Sequence, residues 1–190
     1  MAYAREVDPP RTVPVYVPVR LKPWPLIYSA ALGALARFLL PLAGIETGPK
    51  GIELYARAHE AAFNRWVHTI TMPFVVYGVL LWVPDTVSLP LTHRRAYCQI
   101  GAYIGYIAHY VTIDSRVAFA AALCYALPLA LAVSSPHGMF RGMAFFVAGL
   151  LVQQCLGHWL SGDPSSAGDS VGAAIYAPYF EISHVLRCLD

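Results

Sequence analysis

The sequence predicts an all-α, polytopic integral membrane bundle of five or six spans, and two observations lead there. Hydrophobic residues make up 57% of the 190, and charged residues only 13%. A soluble domain carries about 25% charged residues, so this chain lacks the means to cover a water-facing surface. Apolar runs long enough to cross a hydrocarbon core of ~30 Å recur along it, separated by brief breaks rich in proline, serine and glycine. No internal repeat and no soluble domain is evident. A net charge of +2 on scattered basic residues excludes a nucleic-acid partner. Cys98, Cys124, Cys155 and Cys188 are dispersed, with no C-x-x-C pair. They read as buried free thiols, not as a disulfide framework or a zinc knot.

Residues 1–25 stand apart. Pro9, Pro10, Pro14, Pro18, Pro23 and Pro25 forbid a helix and predict an extended arm. Val13, Val15, Tyr16, Val17 and Val19 alternate with those prolines and have no core of their own to enter. The arm is therefore expected to pack on a partner subunit, the alternative being a flexible tail. Glu6, Asp8 and the prolines make it a poor targeting presequence. Residues 26–49 add an apolar segment in which Arg37 and Pro41 interrupt the run at 26–45. Residues 50–64 are more polar and amphipathic, with Glu53, Arg57, His59 and Glu60. Four spans are expected at 66–83, 96–113, 116–133 and 139–160, then a shorter proline-bearing one at 171–188.

Charge orients the bundle. If 26–45 spans, the N-terminal side holds Arg5, Arg11, Arg20, Lys22, Arg94, Arg95, Arg141 and Arg187. The other side holds Lys50, Arg57, Arg65 and Arg116. The more basic N-terminal side then faces cytoplasm or matrix. The same alternation places His68, Asp114 and His158 at one membrane surface, with His59 above them. Asn64 and His68, four residues apart, share a helical face. His59 precedes His68 by nine residues, about 180° around a continuous helix. Those two histidines meet only if the chain bends between them.

Histidines and carboxylates at helix mouths are costly and indicate a metal site or its remnant. Two histidines and a carboxylate suit a non-heme Fe(II) centre with open positions for dioxygen and substrate. Asn64 would orient a ligand from behind. Zinc is possible by ligand type, though no strong zinc spacing is present. The plain alternative is that each histidine is a hydrogen-bonded residue at a helix end, which is the reading for His93, His109 and His137. A substrate at such a surface would be a membrane lipid, head at the metal and tail in the bilayer. A transporter or channel is disfavoured, because Arg37 is the main ionisable group at mid-bilayer.

The string Tyr55-x3-His59-x4-Asn64-x3-His68-x4-Pro73 resembles the opening signature of the membrane-bound 2-hydroxy fatty acid dioxygenases. Tyr110 to Asp114 is similar to that family's tyrosine-x3-aspartate, and Gly157-His158 to its glycine-histidine motif. Ala177-Pro178-Tyr179-Phe180 resembles its alanine-proline-aromatic-aromatic motif. The resemblance covers residues 50–190 as the dioxygenase-like domain and leaves 1–49 as an extension. It implies a helical membrane enzyme of the endoplasmic reticulum that uses Fe(II) and dioxygen to shorten 2-hydroxy fatty acids by one carbon. It implies His59, His68 and His158 as metal-ligand candidates, with Asn64 and Asp114 supporting them; His184 is a weaker candidate by its residue type alone.

Departures accompany the match. After Gly157-His158 the expected phenylalanine-glutamate pair and basic residues are replaced by Trp159 through Ser165, and His184 stands where a glutamate is usual. Two functions follow. In the first, the chain is an accessory subunit of a mitochondrial inner-membrane complex, of the respiratory chain or ATP synthase. It would then hold no certain cofactor and meet other membrane subunits through residues 1–25. In the second, it is an active Fe(II) dioxygenase of hydroxylated fatty acids.

Overall fold

The computed structural model describes residues 22–45, 49–86, 93–135, 138–164 and 170–189. The proposed partner-binding arm lies outside these residues as far as Leu21, as does His137. Among the described residues the chain is all-α. Helix α1 runs Pro23–Leu42, α2 Pro49–Arg57, α3 Ala62–Thr86 and α4 Arg94–Val111. Then come α5 (Ser115–Ser134), α6 (Met139–Val152), a π-helical continuation of α6 (Gln153–Trp159) and α7 (Ser170–Leu189).

Four of these are long and apolar enough to cross a membrane: α1, α3, α5 and α6 with its continuation. That is fewer than the five or six spans expected. At 96–113, α4 carries buried Gln99 and His109 besides Arg94 and Arg95, which lower its hydropathy. At 171–188, α7 does not carry its C-terminus to the opposite face. Arg187 lines a small pocket with Asp114 and Arg116, so it belongs to the histidine end and not with Arg94 and Arg95. The thiols are free, but Cys124, Cys155 and Cys188 are exposed rather than buried. Apolar side chains that face lipid need no core.

The helices approach closely where they lack side chains. A Cβ on Gly78 would lie 2.6 Å from Phe146 N and 2.7 Å from the Gly142 carbonyl, which locks α3 to α6. Gly149 accepts Val75 in the same groove. On the other side of the bundle, Gly33 of α1 lies against the backbone of Gly105, and Ser29 lies over Gly101. Small residues are what let membrane helices pack when no hydrophobic effect drives them together. Arg37, expected to disturb its span, donates to the Thr112 carbonyl (2.9 Å) at the end of α4. Gln99 is buried and donates to the carbonyls of Leu80 (3.0 Å) and Ala132 (3.1 Å), joining α4 to α3 and α5. Arg95 pairs with Asp85 at the end remote from the histidines.

Helix α2 stays polar on its outer face, where Glu53 and Arg57 pair at 2.6 Å, and buries Tyr55 inward. It then stops. Tight turns from Ala58 N–H to Tyr55 O and from His59 N–H to Ala56 O reverse the chain before α3 begins. This is the bend that His59 and His68 require in order to meet.

Leucine at position 78 is expected to force α3 and α6 apart at a cost of about 1–3 kcal/mol, the usual penalty of overpacking. A lowered unfolding midpoint of the detergent-solubilised protein would show it. An unchanged midpoint would mean that this contact does not hold the bundle.

Candidate metal centre

Each of the three histidines arrives from a different element. His59 lies in the reversal after α2, His68 in the second turn of α3, and His158 in the π-helix. All three are buried. One potential ligand atom from each lies within 4.8 Å of the other two. The ring of His59 lies 4.4 Å from that of His68 and 4.7 Å from that of His158, edge to face in both cases. The Nε2 atoms of His59, His68 and His158 are buried with no hydrogen-bond partner.

The opposite ring nitrogens are held. His59 Nδ1 donates to the Tyr55 carbonyl at 2.8 Å, which leaves the Nε2 lone pair free. The Tyr55 ring stacks on His59 at 4.0 Å, and its hydroxyl lies 3.3 Å from His68 Nδ1. Asn64 Nδ2 sits 3.4 Å from His158 Nδ1. Burial pushes the His59 pKa down to about 4, opposed by the bond to Tyr55 O and reinforced by His158. His59 is therefore neutral at pH 7, the form that ligates a metal.

Asp163 assembles this corner. Its Oδ2 accepts from Asn64 Nδ2 at 2.8 Å and from Ala61 N–H at 3.0 Å. It thereby ties the end of the π-helix to both sides of the α2–α3 reversal. Burial raises its pKa, and the bonds from Asn64 and Ala61 outweigh that and hold it below its ordinary value. Gly157 is the other fixed point. A Cβ there would lie 2.5 Å from Asn64 Oδ1 and 3.3 Å from the His68 ring. Only glycine lets His158 come this near to α3. The wide π turn brings Gln153, Gly157 and His158 all inward, a device common at functional sites.

Of the other candidates, Asn64 lies within the cluster and Asp114 does not. Asp114 is the N-cap of α5, accepting from Arg116 N–H (2.8 Å) and Val117 N–H (3.4 Å). The spacing that put it at the right membrane face carried no information about where its side chain turns. His184 packs its ring against Trp66 at 5.8 Å and lies near Cys188, outside the cluster. The sequence offers Asp163 only as a stand-in for the missing carboxylate and Tyr55 only as part of the signature string, without the roles that the structure gives them. Asp163 lies in the segment that departs from the resembled motif, and only the fold shows that it reaches residue 61.

A large apolar cavity adjoins the centre. Its volume is about 660 Å3, its lining includes His68 and Tyr55, and its walls come mainly from α3, α4, α6 and α7.

Replacing any one of His59, His68 or His158 with alanine is expected to lower bound metal at least tenfold, as measured by elemental analysis of purified protein. Gly157→Ala should do the same without removing a ligand. His184→Ala should leave the metal in place. Asp114→Ala should keep the metal and lose about 1 kcal/mol of stability, the usual worth of an N-cap. Full metal occupancy in the Gly157 variant would contradict this geometry.

Compared with protein-family models, curated proteins and solved structures, the chain matches none.

Proposed function

We propose that this chain is an iron-dependent membrane oxygenase that acts on a 2-hydroxy fatty acid and shortens it by one carbon. One observation carries the reading: three buried imidazoles have unpartnered Nε2 atoms, and one ring nitrogen of each lies within 4.8 Å of one from each of the others. Burying polar atoms without partners costs on the order of 1–3 kcal/mol each. Three in one place suggest a cation as the missing partner. Imidazole donors suit iron, zinc, copper or nickel. The strings around His59, His68 and His158, similar to those of the 2-hydroxy fatty acid dioxygenases, favour Fe(II) among them. Bound by the three Nε2 atoms, that ion would supply activation of dioxygen toward the hydroxyl-bearing carbon.

The chain's own residues do the rest. His59, His68 and His158 bind as neutral ligands, so the positive charge of the ion remains to attract a carboxylate head. Asp163, held ionised by its bonds from Asn64 and Ala61, stands beside the centre as a single negative charge and offsets only part of the charge of a divalent ion. Tyr55 fixes two of the rings, one through its carbonyl and the other through its hydroxyl. Burial of the rings excludes water, and the adjoining apolar cavity offers room for a lipid tail.

A second reading is an accessory subunit of a mitochondrial inner-membrane complex built on the same fold. It draws on residues 1–25 and on α1, which has no buried residue and so offers a broad outer surface to lipid or to a neighbour.

Protein purified under reducing conditions is expected to carry one iron per chain and to take up oxygen with a 2-hydroxy long-chain fatty acid. His68→Ala should abolish both. Iron-free protein that co-purifies with a large complex would favour the subunit reading and sink the enzyme.

A further inference from the structure

The cavity beside the histidines has a direction. It runs along α3 from His68 to Trp82, about 21 Å at 1.5 Å per residue. A volume of about 660 Å3 spread over that length makes a channel, not a bowl. Its polar groups are gathered mainly at one end, the Trp82 indole N–H at the other being the exception. Tyr55 and Gln153 stand beside His68, and Gln153 donates to Thr71 Oγ1 at 2.9 Å.

Further along, tyrosines line the wall but turn their hydroxyls to backbone carbonyls. Tyr103 donates to Ala122 O (2.5 Å), Tyr110 to Ile175 O (2.7 Å) and Tyr125 to Pro178 O (3.4 Å). What they show the cavity is ring surface, so the middle of an occupant has few groups with which to hydrogen-bond. At the far end the Trp82 ring stands 6.0 Å from that of Phe146. A long helical side chain leans toward the N-terminus of its helix, which sets the indole back across the end of the channel. On the outer side, Ala102, Tyr106 and Leu150 are exposed, so this wall meets the hydrocarbon from which a lipid would come.

We propose that this channel takes one unbranched acyl chain, carboxylate toward the histidines, and that Trp82 sets the longest chain that fits. The proposal rests on the enzymatic reading for the position of the head, and on the cavity alone for the measure of length.

The test uses full-length, metal-free protein in lipid nanodiscs and displacement of a fluorescent polyene fatty acid by saturated fatty acids of increasing length. Referred to the free fatty acid in the aqueous phase, affinity should rise about fourfold per added methylene, the ordinary worth of taking one out of water, until the chain reaches Trp82, and then level off or fall. Trp82→Ala should move that break to longer chains, and Val79→Phe, further up the channel, to shorter ones. Partition into the bilayer is common to all three proteins, so differences between them report the channel. A slope without a break, or a break that neither variant moves, overturns the proposal. Fe(II) binding, measured by adding the ion to the same metal-free preparations, separates the two ideas. A movable break in protein that cannot bind iron keeps the channel and removes the enzyme, and iron without a break does the reverse.

Discussion

The structure depends on one constraint: three imidazoles taken out of water are held close together with their Nε2 lone pairs unpartnered. Among the described residues nothing relieves them. An apolar membrane bundle has few polar groups to spend, and leaving several unpaired in one spot opposes folding. The cost is tolerable only if other contacts overdetermine the position of every ring, or if a bound ion lowers it. A ligand that binds the folded state alone adds RT ln(1 + [L]/Kd) to stability. Were an ion bound there, the centre and the fold would be coupled in sign, and its loss would loosen the corner that holds it.

The overdetermination is visible. Tyr55 grips two rings and stacks on one of them. Asp163 reaches across about a hundred residues of sequence to hold Asn64 and Ala61. Gly157 gives the clearance without which His158 would be displaced from α3. None of these residues is a ligand candidate, yet each fixes the distance between ligands. The departure from the resembled motif after His158 looks different in this light. A glutamate and basic residues are absent there, and the segment that replaces them supplies the carboxylate of Asp163 that latches the site.

Much of the architecture was legible because membrane helices announce themselves by length and apolarity. The expected segments at 66–83, 116–133 and 139–160 overlie α3, α5 and α6 with its continuation. The count of spans was not legible. A helix such as α4 can hide Gln99 and His109 inside the bundle, and α7 can pass through part of it without crossing. Hydropathy sees neither behaviour. At the site, alternation of crossings placed residues at one end of the bundle but said nothing of side-chain direction. His59, His68 and His158 turn inward together, whereas Asp114 turns to cap its own helix. The π-helical winding that aims His158 has no hydrophobic period by which to recognise it.

A division of polarity ties the centre to its cavity. Apart from the Trp82 indole N–H, the unpartnered polar atoms of the cavity lining belong to the histidine end, and tyrosine hydroxyls along the walls are consumed by backbone carbonyls. A purely structural cluster of histidines would gain nothing from a large apolar space at its side, since an empty cavity forfeits dispersion contacts on every wall. Here the space stays open between large side chains such as Tyr103, Tyr110 and Phe146, because Val75, Val76, Val79 and Ala177 leave room beside the polar end. Open apolar volume next to unpartnered lone pairs is the combination expected of a site that binds a molecule polar at one end and apolar along its length.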